Sequence, residues 1–526
     1  MKRFLALLLC LGLMLGLLGG CAAEDTPYVP TGDALAAEDA DIYATVPEDA
    51  GLQELTLAYY ADRSLNPLEC TDFTNRVLFS LIYQGLFSVS SDYEAVPILC
   101  SSFERSSDYK VYTIKLADAW FSDGSKVTLA DVLGTYEAAQ KSKYYQGRFT
   151  HISSITVEGT GIVFKLDTPM EDLPLLLDIP IVKADQVADP SPVGSGPYAM
   201  ASGVTGAYLR KVPSWWCASP DLAVTADSIP LVKAESAAQI RDEFEFYDVD
   251  LVCADPCSDL YADYRCDYEL WDCENGEFIF LACNVAHREI FEDDTLRSVL
   301  TYGIDRQTLV DTYYRGFARP VSLPASPSSP YYNASLANKY DFEPVKFVQV
   351  ISGIILEEPL VLIVNQDDSL RVQTARAIAD MLTQSGLPVT VEPLSTRVFL
   401  NRIHAGNYDM YLGSTRLSPN MDLSAFFHPY GDMSYNGIGN AALYQLCLDA
   451  LDNYGNYYDL HKSVAEDGRI VPVIFCSYAV YATRGLLTNL NPSRDNVFYY
   501  TLGTTLDDAL IPIDYTSVAT ASEPGE

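Results

Sequence analysis

Histidine, serine and glycine residues, which often build catalytic sites, do not stand in the spacing of a familiar active site. Five histidines occur, but no two form the His-x-x-x-His or His-Glu-x-x-His pattern of zinc proteases. The segment VGSGPY around Ser195 lacks the Gly-x-Ser-x-Gly spacing of a nucleophile elbow. No Gly-x-x-x-x-Gly-Lys-Ser/Thr loop is present to bind phosphates. The sequence therefore predicts a protein that is not an enzyme and needs no metal or cofactor.

The twelve cysteines include a cluster of five without a Cys-x-x-Cys pair, so a zinc or redox motif is not indicated. The five are Cys253, Cys257, Cys266, Cys273 and Cys283. One or more disulfides within this cluster and a set of small buried thiols are both compatible with the pattern. The spacing does not determine a connectivity.

Acidic residues dominate the charge of the chain, with 71 Asp and Glu against 34 Lys and Arg. Nucleic-acid binding needs a basic face, so nucleic acid is excluded as a partner. A peripheral basic patch on anionic lipid is excluded for the same reason. An acidic balance of this size mainly promotes solubility and does not by itself predict a cationic ligand.

The first twenty residues have the layout of a secretory signal peptide. Lys2 and Arg3 form a positive start, and an apolar run that is too short to span a bilayer comfortably follows over residues 4–18. The sequence from Leu18 to Cys21, LGGC, resembles a bacterial lipobox, in which the cysteine is acylated and becomes the mature N-terminus. We therefore expect an extracytoplasmic protein that a lipid on Cys21 anchors to the cell membrane. An ordinary signal peptide with a chance cysteine is the alternative.

The residues that follow Cys21 form an acidic lead. Residues 22–50 are rich in Ala, Pro, Asp and Glu and hold eight acidic residues and no basic one. Such a composition cannot bury enough apolar surface to fold, so residues 21–50 are predicted to be a lipidated, disordered tether. Residues 516–526 are predicted to be a loose tail.

The clearest element pattern is a βαβ unit in the second half of the chain. A buried strand is predicted over Pro359–Asn365, followed by a helix that Ser369 caps and Gly386 ends. The segment PVTVEPL then reads as a second strand. Two strands joined by a helix in this way pair in parallel, so the pattern predicts an α/β fold with a parallel sheet.

The segment AWFSDGSKVTLADV, residues 119–132, resembles the signature of the extracytoplasmic solute-binding proteins of ABC importers, family 5, which include oligopeptide-, dipeptide- and nickel-binding receptors. In this chain Leu129 stands where alanine is usual. The signature has a structural reason, because Asp123-Gly124 predicts a tight turn and Thr128 with Asp131 predicts a capping box at a helix start.

Further segments resemble the same family in the same order, among them VGSGPY and the block FIFLACN…LTYGIDRQTL. The resemblance implies an α/β, two-lobed periplasmic-binding-protein type II fold with ligand closed between the lobes. Lobe I would comprise residues 51–275 and 480–515, with an extra subdomain at 67–185. Lobe II would comprise residues 276–479.

The family's usual clamp for the amino terminus of a peptide is in doubt in this chain. When the segment GSTRLSPNMDLSAFF is anchored on Phe426, Pro419 falls where the clamping aspartate would stand, and Arg416 replaces the usual tryptophan. Asn420 or Asp422 would substitute with a shifted geometry. Arg416 would instead pair with a carboxylate or phosphate, or else form a salt bridge on the surface or between the lobes.

The resemblance also implies which side chains bind the ligand. Lobe I would contribute residues that follow the first strand, and lobe II would contribute two segments. The predicted ligand-binding residues are Asn66, Phe73, Ser414, Arg416, Asn420, Asp422, Tyr435 and Asn436.

The predicted function is a lipid-anchored receptor that captures a peptide or another small molecule and delivers it to the permease subunits of an ABC importer. A monomer is expected. One alternative keeps the fold but makes the protein a ligand sensor or pheromone receptor without dedicated transport. An extracellular hydrolase is a further alternative, which would need a nucleophile or metal constellation that the sequence does not display.

Overall fold

The computed structural model describes residues 55–213, 215–217, 226–258, 260, 264–487 and 490–498. The predicted signal peptide, Cys21 with its acidic tether, and the C-terminal tail all lie outside the described residues. Within the described residues no helix has both the length and the hydrophobicity that a membrane span requires.

Seventeen strands are found in the described part of the chain. They are β1 (Leu57–Tyr59), β2 (Phe87–Val89), β3 (Ala95–Pro97), β4 (Cys100–Arg105), β5 (Val111–Leu116), β6 (Ile152–Glu158), β7 (Gly161–Leu166), β8 (Tyr198–Gly203), β9 (Gly206–Lys211), β10 (Ser228–Lys233), β11 (Leu251–Ala254), β12 (Tyr268–Cys283), β13 (Ala318–Pro320), β14 (Leu360–Asn365), β15 (Val389–Leu394), β16 (Met410–Arg416) and β17 (Ile470–Thr483).

Twelve α-helices accompany them in the same residues. They are α1 (Phe73–Val77), α2 (Phe79–Ile82), α3 (Leu129–Ala139), α4 (Ala237–Glu245), α5 (Arg306–Tyr313), α6 (Ala334–Ala337), α7 (Pro344–Ile351), α8 (Ser369–Gln384), α9 (Thr396–Ala405), α10 (Ser424–Phe427), α11 (Ala441–Asp452) and α12 (Tyr457–Asp467).

Most strands join one mixed sheet in the order β15-β14-β16-β12-β17-β11-β1-β10-β9-β8, with β13 paired to β17. Strand β14 pairs in parallel with β15 and β16, and β1 pairs in parallel with β10 and β11. The central strands β12 and β17 are antiparallel to each other and to their outer neighbours. A separate antiparallel sheet, β4-β5-β7-β6, lies within residues 100–166.

The predicted βαβ unit is confirmed as β14, α8 and β15, with β14 and β15 in parallel register from Leu360↔Val389 to Asn365↔Leu394. The predicted cap is wrong by one residue. Asp368 is the N-cap, and its side chain accepts a hydrogen bond from the amide of Arg371, whereas Ser369 is the first residue of the helix. Both residue types cap well, but Asp368 comes first and satisfies an amide that the helix leaves unpaired.

The signature segment is confirmed as a turn followed by a helix start. Gly124 has φ +85°, and Asp123 accepts the amide of Ser125 at 2.9 Å. Thr128 and Asp131 then form the capping box of α3, in which the Thr128 amide donates to Asp131 Oδ2 at 2.9 Å. Asp123, Gly124, Thr128 and Asp131 of this segment therefore shape the backbone.

The glycines of VGSGPY allow a close approach between two backbone segments. A Cβ added at Gly194 would lie 2.0 Å from the carbonyl oxygen of Ile82, and one added at Gly196 would lie 2.5 Å from that of Leu81. The Gly196 amide donates to the same Ile82 carbonyl at 2.8 Å. The segment thus packs against the end of α2 at a distance that only glycine permits.

The two long central strands pass through more than one hydrophobic core. Cys273 of β12 and Tyr478 of β17 belong to the same core as β1, α2 and α3, whereas Ile279 and Ile474 belong to the core around α8. The register between β12 and β17 shifts between Glu274 and Phe278, which marks a bulge at residues 275–277. The domain boundaries stay a prediction, and the bulge lies close to the proposed one at 275/276.

Candidate functional site

A cleft of about 1110 Å³ opens beside the β12 bulge. Its floor is formed by residues of the bulge and by residues 476–478 of β17. One wall comes from the predicted lobe I and the other from the predicted lobe II. The first wall includes Thr71, Phe73, Arg76, Tyr144 and Arg494, and the second includes Asp367, Asp368, Arg371, Ser414, Thr415 and Arg416.

The bulge in β12 leaves room for the buried side chain of Arg494. Gly276 has φ +78°, and a Cβ at this position would lie 2.5 Å from the guanidinium carbon of Arg494. One guanidinium nitrogen of Arg494 donates to the carbonyl of Leu417. Only a glycine with left-handed backbone lets the guanidinium pack flat against β12.

Arg416 connects the two walls. Its Nη2 donates to Asp495 Oδ1 at 2.6 Å, and its Nε donates to the Asn275 carbonyl at 2.9 Å. The guanidinium also stands over the ring of Tyr144, 4.7 Å from its centroid. The salt bridge that the sequence left as the alternative for Arg416 is thus present, between a residue of the predicted lobe II and one of the predicted lobe I, and the same side chain lines the cleft.

Asp495 is the shared carboxylate of an arginine cluster. Arg494 and Arg148 approach its Oδ2 at 3.4 and 3.7 Å, and the Tyr144 hydroxyl donates to Oδ1 at 2.9 Å. Burial by itself raises the pKa of Asp495, but Arg416 and the other guanidiniums outweigh it and hold the pKa well below its usual range. Asp495 is therefore ionised and balances several buried positive charges.

The opposite wall carries acidic groups at the start of α8. Arg371 pairs with Glu277 and with Asp368, each at 3.0 Å. Asp367, beside them, accepts a hydrogen bond from the Thr396 hydroxyl at 2.5 Å, and Asp255 lines the same part of the cleft. The cleft is therefore basic near Arg416 and Arg494, and it holds more carboxylates than arginines at the start of α8.

Three of the eight predicted ligand-binding residues line the cleft, namely Phe73, Ser414 and Arg416. Phe73 also packs edge-on against the ring of Tyr478 on the cleft floor, with centroids 4.9 Å apart. Ser414 and Arg416 lie on β16, which pairs with β12 beside the bulge. The ligand-binding role of these three residues stays a prediction.

Asn66 and Asn420 are buried and bonded to the protein itself, away from the cleft lining. The Asn66 amide donates to the carbonyls of Val187 and Asp189 at 3.0 and 2.8 Å, so it joins two loops. Asn420 accepts a hydrogen bond from the Ser418 hydroxyl at 2.7 Å. In these positions both asparagines serve the fold.

Tyr435 and Asn436 lie beside α9, outside the cleft lining. The ring of Tyr435 packs edge-on against His404 at 5.0 Å between centroids. The Asn436 carbonyl accepts from Tyr408 at 3.1 Å, and its side chain lies against Gly406, where a Cβ would come within 2.6 Å. The structure therefore does not bring this pair together with Arg416.

Asp422 contacts His151 instead of the cleft. The Nε2 atom of His151 lies 3.4 Å from Asp422 and 3.3 Å from the Ser424 hydroxyl, and Nδ1 lies 3.5 Å from Asp167. Burial lowers the pKa of His151, but the two carboxylates outweigh it and raise the pKa above its ordinary value. Asp422 therefore lies against His151 and not among the residues that line the cleft.

The structure adds two cleft residues that the sequence did not single out, Ser477 and Arg494, together with Asp495, which pairs with Arg416. No local motif surrounds them, since Arg494 and Asp495 lie in an irregular segment after β17. Arg494 and Asp495 become notable only in the folded structure, where Arg416 and Tyr144 lie close to Asp495. Among the described residues, no three His, Cys, Asp or Glu side chains converge as they would around a metal ion.

Two curated relatives match parts of the chain. The nickel-binding protein NikA of Staphylococcus aureus (strain NCTC 8325 / PS 47) is 25% identical over 285 residues, which cover 53% of this chain and 57% of that protein. The chain therefore spans little more than half of this relative. The oligopeptide-binding protein AppA of Bacillus subtilis (strain 168) is 22% identical over 458 residues, which cover 76% of this chain and 82% of that protein.

A solved structure shows the same fold. The ABC transporter substrate binding protein CtaP of Listeria monocytogenes superposes with a TM-score of 0.67 at 18% identity, covering 85% of this chain and 98% of that one. The likeness establishes the type II fold of periplasmic binding proteins.

The family is shown by a match to a family model. Residues 94–437 match the model of the bacterial extracellular solute-binding proteins, family 5, middle part. This span includes the signature segment, the βαβ unit and Arg416. The chain belongs to the bacterial extracellular solute-binding proteins of family 5.

Proposed function

We propose that this protein is a lipid-anchored, extracytoplasmic receptor that captures a small solute between two lobes and delivers it, as a monomer, to the permease of an ABC importer. The observation that carries the proposal is the cleft of about 1110 Å³ between walls from both predicted lobes. A volume of this size suits a small molecule or a short peptide. Arg416, Ser414 and Phe73 are the predicted contacts of the ligand.

The arrangement of the strands supports capture by closure. Both β12 and β17 run through the cleft floor, and the bulge at residues 275–277 interrupts their register at this point. A short irregular stretch between two packed cores is where a hinge absorbs a change of backbone angle. The Arg416–Asp495 pair joins a residue of the predicted lobe II to one of the predicted lobe I.

Solute binding is tested by thermal unfolding of the purified chain with peptides, metal chelates, sugars and amino-acid derivatives. We expect one class to raise the midpoint of unfolding, because a ligand that binds only the folded state stabilises it. A ligand at a hundred times its Kd contributes about 2.7 kcal/mol. A midpoint that stays constant across all four classes would contradict the receptor proposal.

Lipid attachment is tested in the bacterial cell. We expect radioactive palmitate supplied to the growing cells to label the protein, because Cys21 would carry the acyl chains. The labelled protein should fractionate with the membrane. Cys21→Ala should lose the label and release the protein from the membrane. Cys10→Ala is the matched control, since Cys10 lies in the segment that is cleaved. Label on the Cys21→Ala protein would exclude Cys21 as the site.

A further inference from the structure

The basic end of the cleft holds two buried polar groups without a partner. Ser477 is 6% exposed, and its hydroxyl has no hydrogen-bond partner among the described residues, although Ser477 lines the cleft. Arg494 is 5% exposed, and its Nη1 also has none among those residues. Buried polar groups are almost always hydrogen-bonded, so two such groups in one cleft call for a ligand.

Both groups lie along the same stretch of β12. Ser477 stands opposite Glu274 in the pairing of β17 with β12, and Arg494 packs on Gly276 two residues further along β12. The hydroxyl of Tyr478 donates to the carbonyl of Ser493 at 2.6 Å, which ties β17 directly to the segment that carries Arg494. A hydroxyl and a guanidinium donor thus occupy one end of the cleft.

The charges at this end do not balance. Four guanidiniums gather around Asp495, and two further carboxylates are described beside them: Asp178, which pairs with Arg148, and the buried Glu274, which lines a pocket with Arg494. Four positive charges therefore face three negative ones. The four are Arg76, Arg148, Arg416 and Arg494. Burial, together with the like charge of Arg416, lowers the pKa of Arg494 to about 10. Because buried charges are costly without partners, a further negative charge would be strongly favoured here.

We infer that the ligand carries an anionic group, a carboxylate or a phosphate, which binds at the end of the cleft formed by Ser477, Arg494 and Arg416. The inference rests on the proposed receptor function and adds the class and the orientation of the ligand. The hydroxyl of Ser477 and the guanidiniums donate hydrogen bonds to the anion. The negative charge of Asp367, on the second wall, repels the same group, so the ligand enters with its anionic end towards Arg494.

The test uses matched pairs of probes in the thermal unfolding assay. Ala-Ala and Ala-Ala-Ala are supplied as free acids and as C-terminal amides, and glucose 6-phosphate is compared with glucose. We expect the charged member of a pair to raise the midpoint and the neutral member to leave it unchanged. The peptide pairs report on a carboxylate, whereas the sugar pair reports on a phosphate.

Two variants test whether the anionic group of the probe binds at this end of the cleft. Ser477→Ala should weaken binding of the charged probe by about ten- to a hundredfold, since a hydrogen bond to a charged group contributes about 1.5–3 kcal/mol. The variant should unfold as the wild type does, because this hydroxyl bonds to no described group. Ser195→Ala is the control, as Ser195 also has a buried hydroxyl without a partner among the described residues, and it does not line the cleft. Arg494→Gln should abolish the preference for the charged member of each pair.

The outcomes separate the two proposals. If charged and neutral probes bind equally, or if Ser477→Ala binds as Ser195→Ala does, the anion site is wrong and the receptor function stands. If no compound of any class binds, the receptor function fails and the anion site falls with it.

Discussion

Replacing Asp495 by asparagine should destabilise the protein by about 3–5 kcal/mol, the effect expected when one partner of a buried ion pair is removed. Asparagine has the same shape, but it leaves Arg416, Arg494 and Arg148 without their shared carboxylate. Denaturation by urea at neutral pH, analysed for the free energy of unfolding, measures the effect. Asp118→Asn, which breaks an exposed pair with Lys126, should change the free energy by less than about 1 kcal/mol.

The pH dependence of this difference has a definite sign. The pKa of Asp495 is held below its ordinary value in the folded state, so its contribution is complete above the unfolded pKa of about 3.9 and is lost as pH falls towards the folded pKa. The curves of the wild type and Asp495→Asn should therefore converge below about pH 4. A constant difference down to acid pH, or an Asp495→Asn protein as stable as Asp118→Asn, would show that the cluster does not depend on this carboxylate.

Gly194→Ala should also be strongly destabilising, by about 3 kcal/mol or more, because overpacking against a fixed backbone cannot relax by moving a side chain. The added Cβ would lie 2.0 Å from the carbonyl oxygen of Ile82, and α2 would have to move away. Loss of soluble protein, or a large fall in the midpoint of thermal unfolding, is the expected observation.

Gly147→Ala is the matched control for this substitution. Gly147 lies in a short 3₁₀ turn, and nothing stands within 4 Å of an added Cβ, so the change should stay within about 0.5 kcal/mol. Equal stability of the two variants would mean that the VGSGPY segment does not need its glycine for close packing.

Local features of the fold were predictable from the sequence because local chemistry determines them. The capping box of Thr128 and Asp131 needs only residues three apart, and the β14–α8–β15 unit shows its period within about 35 residues. The cap of α8 was displaced by one residue because Asp368 and Ser369 are both good capping residues. The resemblance to the family 5 solute-binding proteins predicted the type II fold, which the periodicity of hydrophobic residues alone does not reveal.

The cleft was only partly predictable because its charges come from distant parts of the chain. Tyr144 and Asp495 are hydrogen-bonded across 351 residues of sequence, and Arg416 and Asp495 across 79. The segment GSTRLSPNMDLSAFF, in which Pro419 stands at the position of the clamping aspartate, drew attention to Arg416. No local pattern in the sequence indicates that Arg494 is buried. Ser477 likewise becomes notable only when its hydroxyl is seen to be buried without a described partner.

The cysteines of the fold have a practical consequence. Nine of the described cysteines are free thiols, including the cluster of five for which disulfides were one of two alternatives. Burial raises the pKa of all nine, among them Cys253, Cys283 and Cys447. Because the thiolate is the reactive form, these sulfurs react slowly with oxidants and with one another. A chain proposed to work in an oxidising compartment thus keeps these nine sulfurs in their less reactive, protonated form.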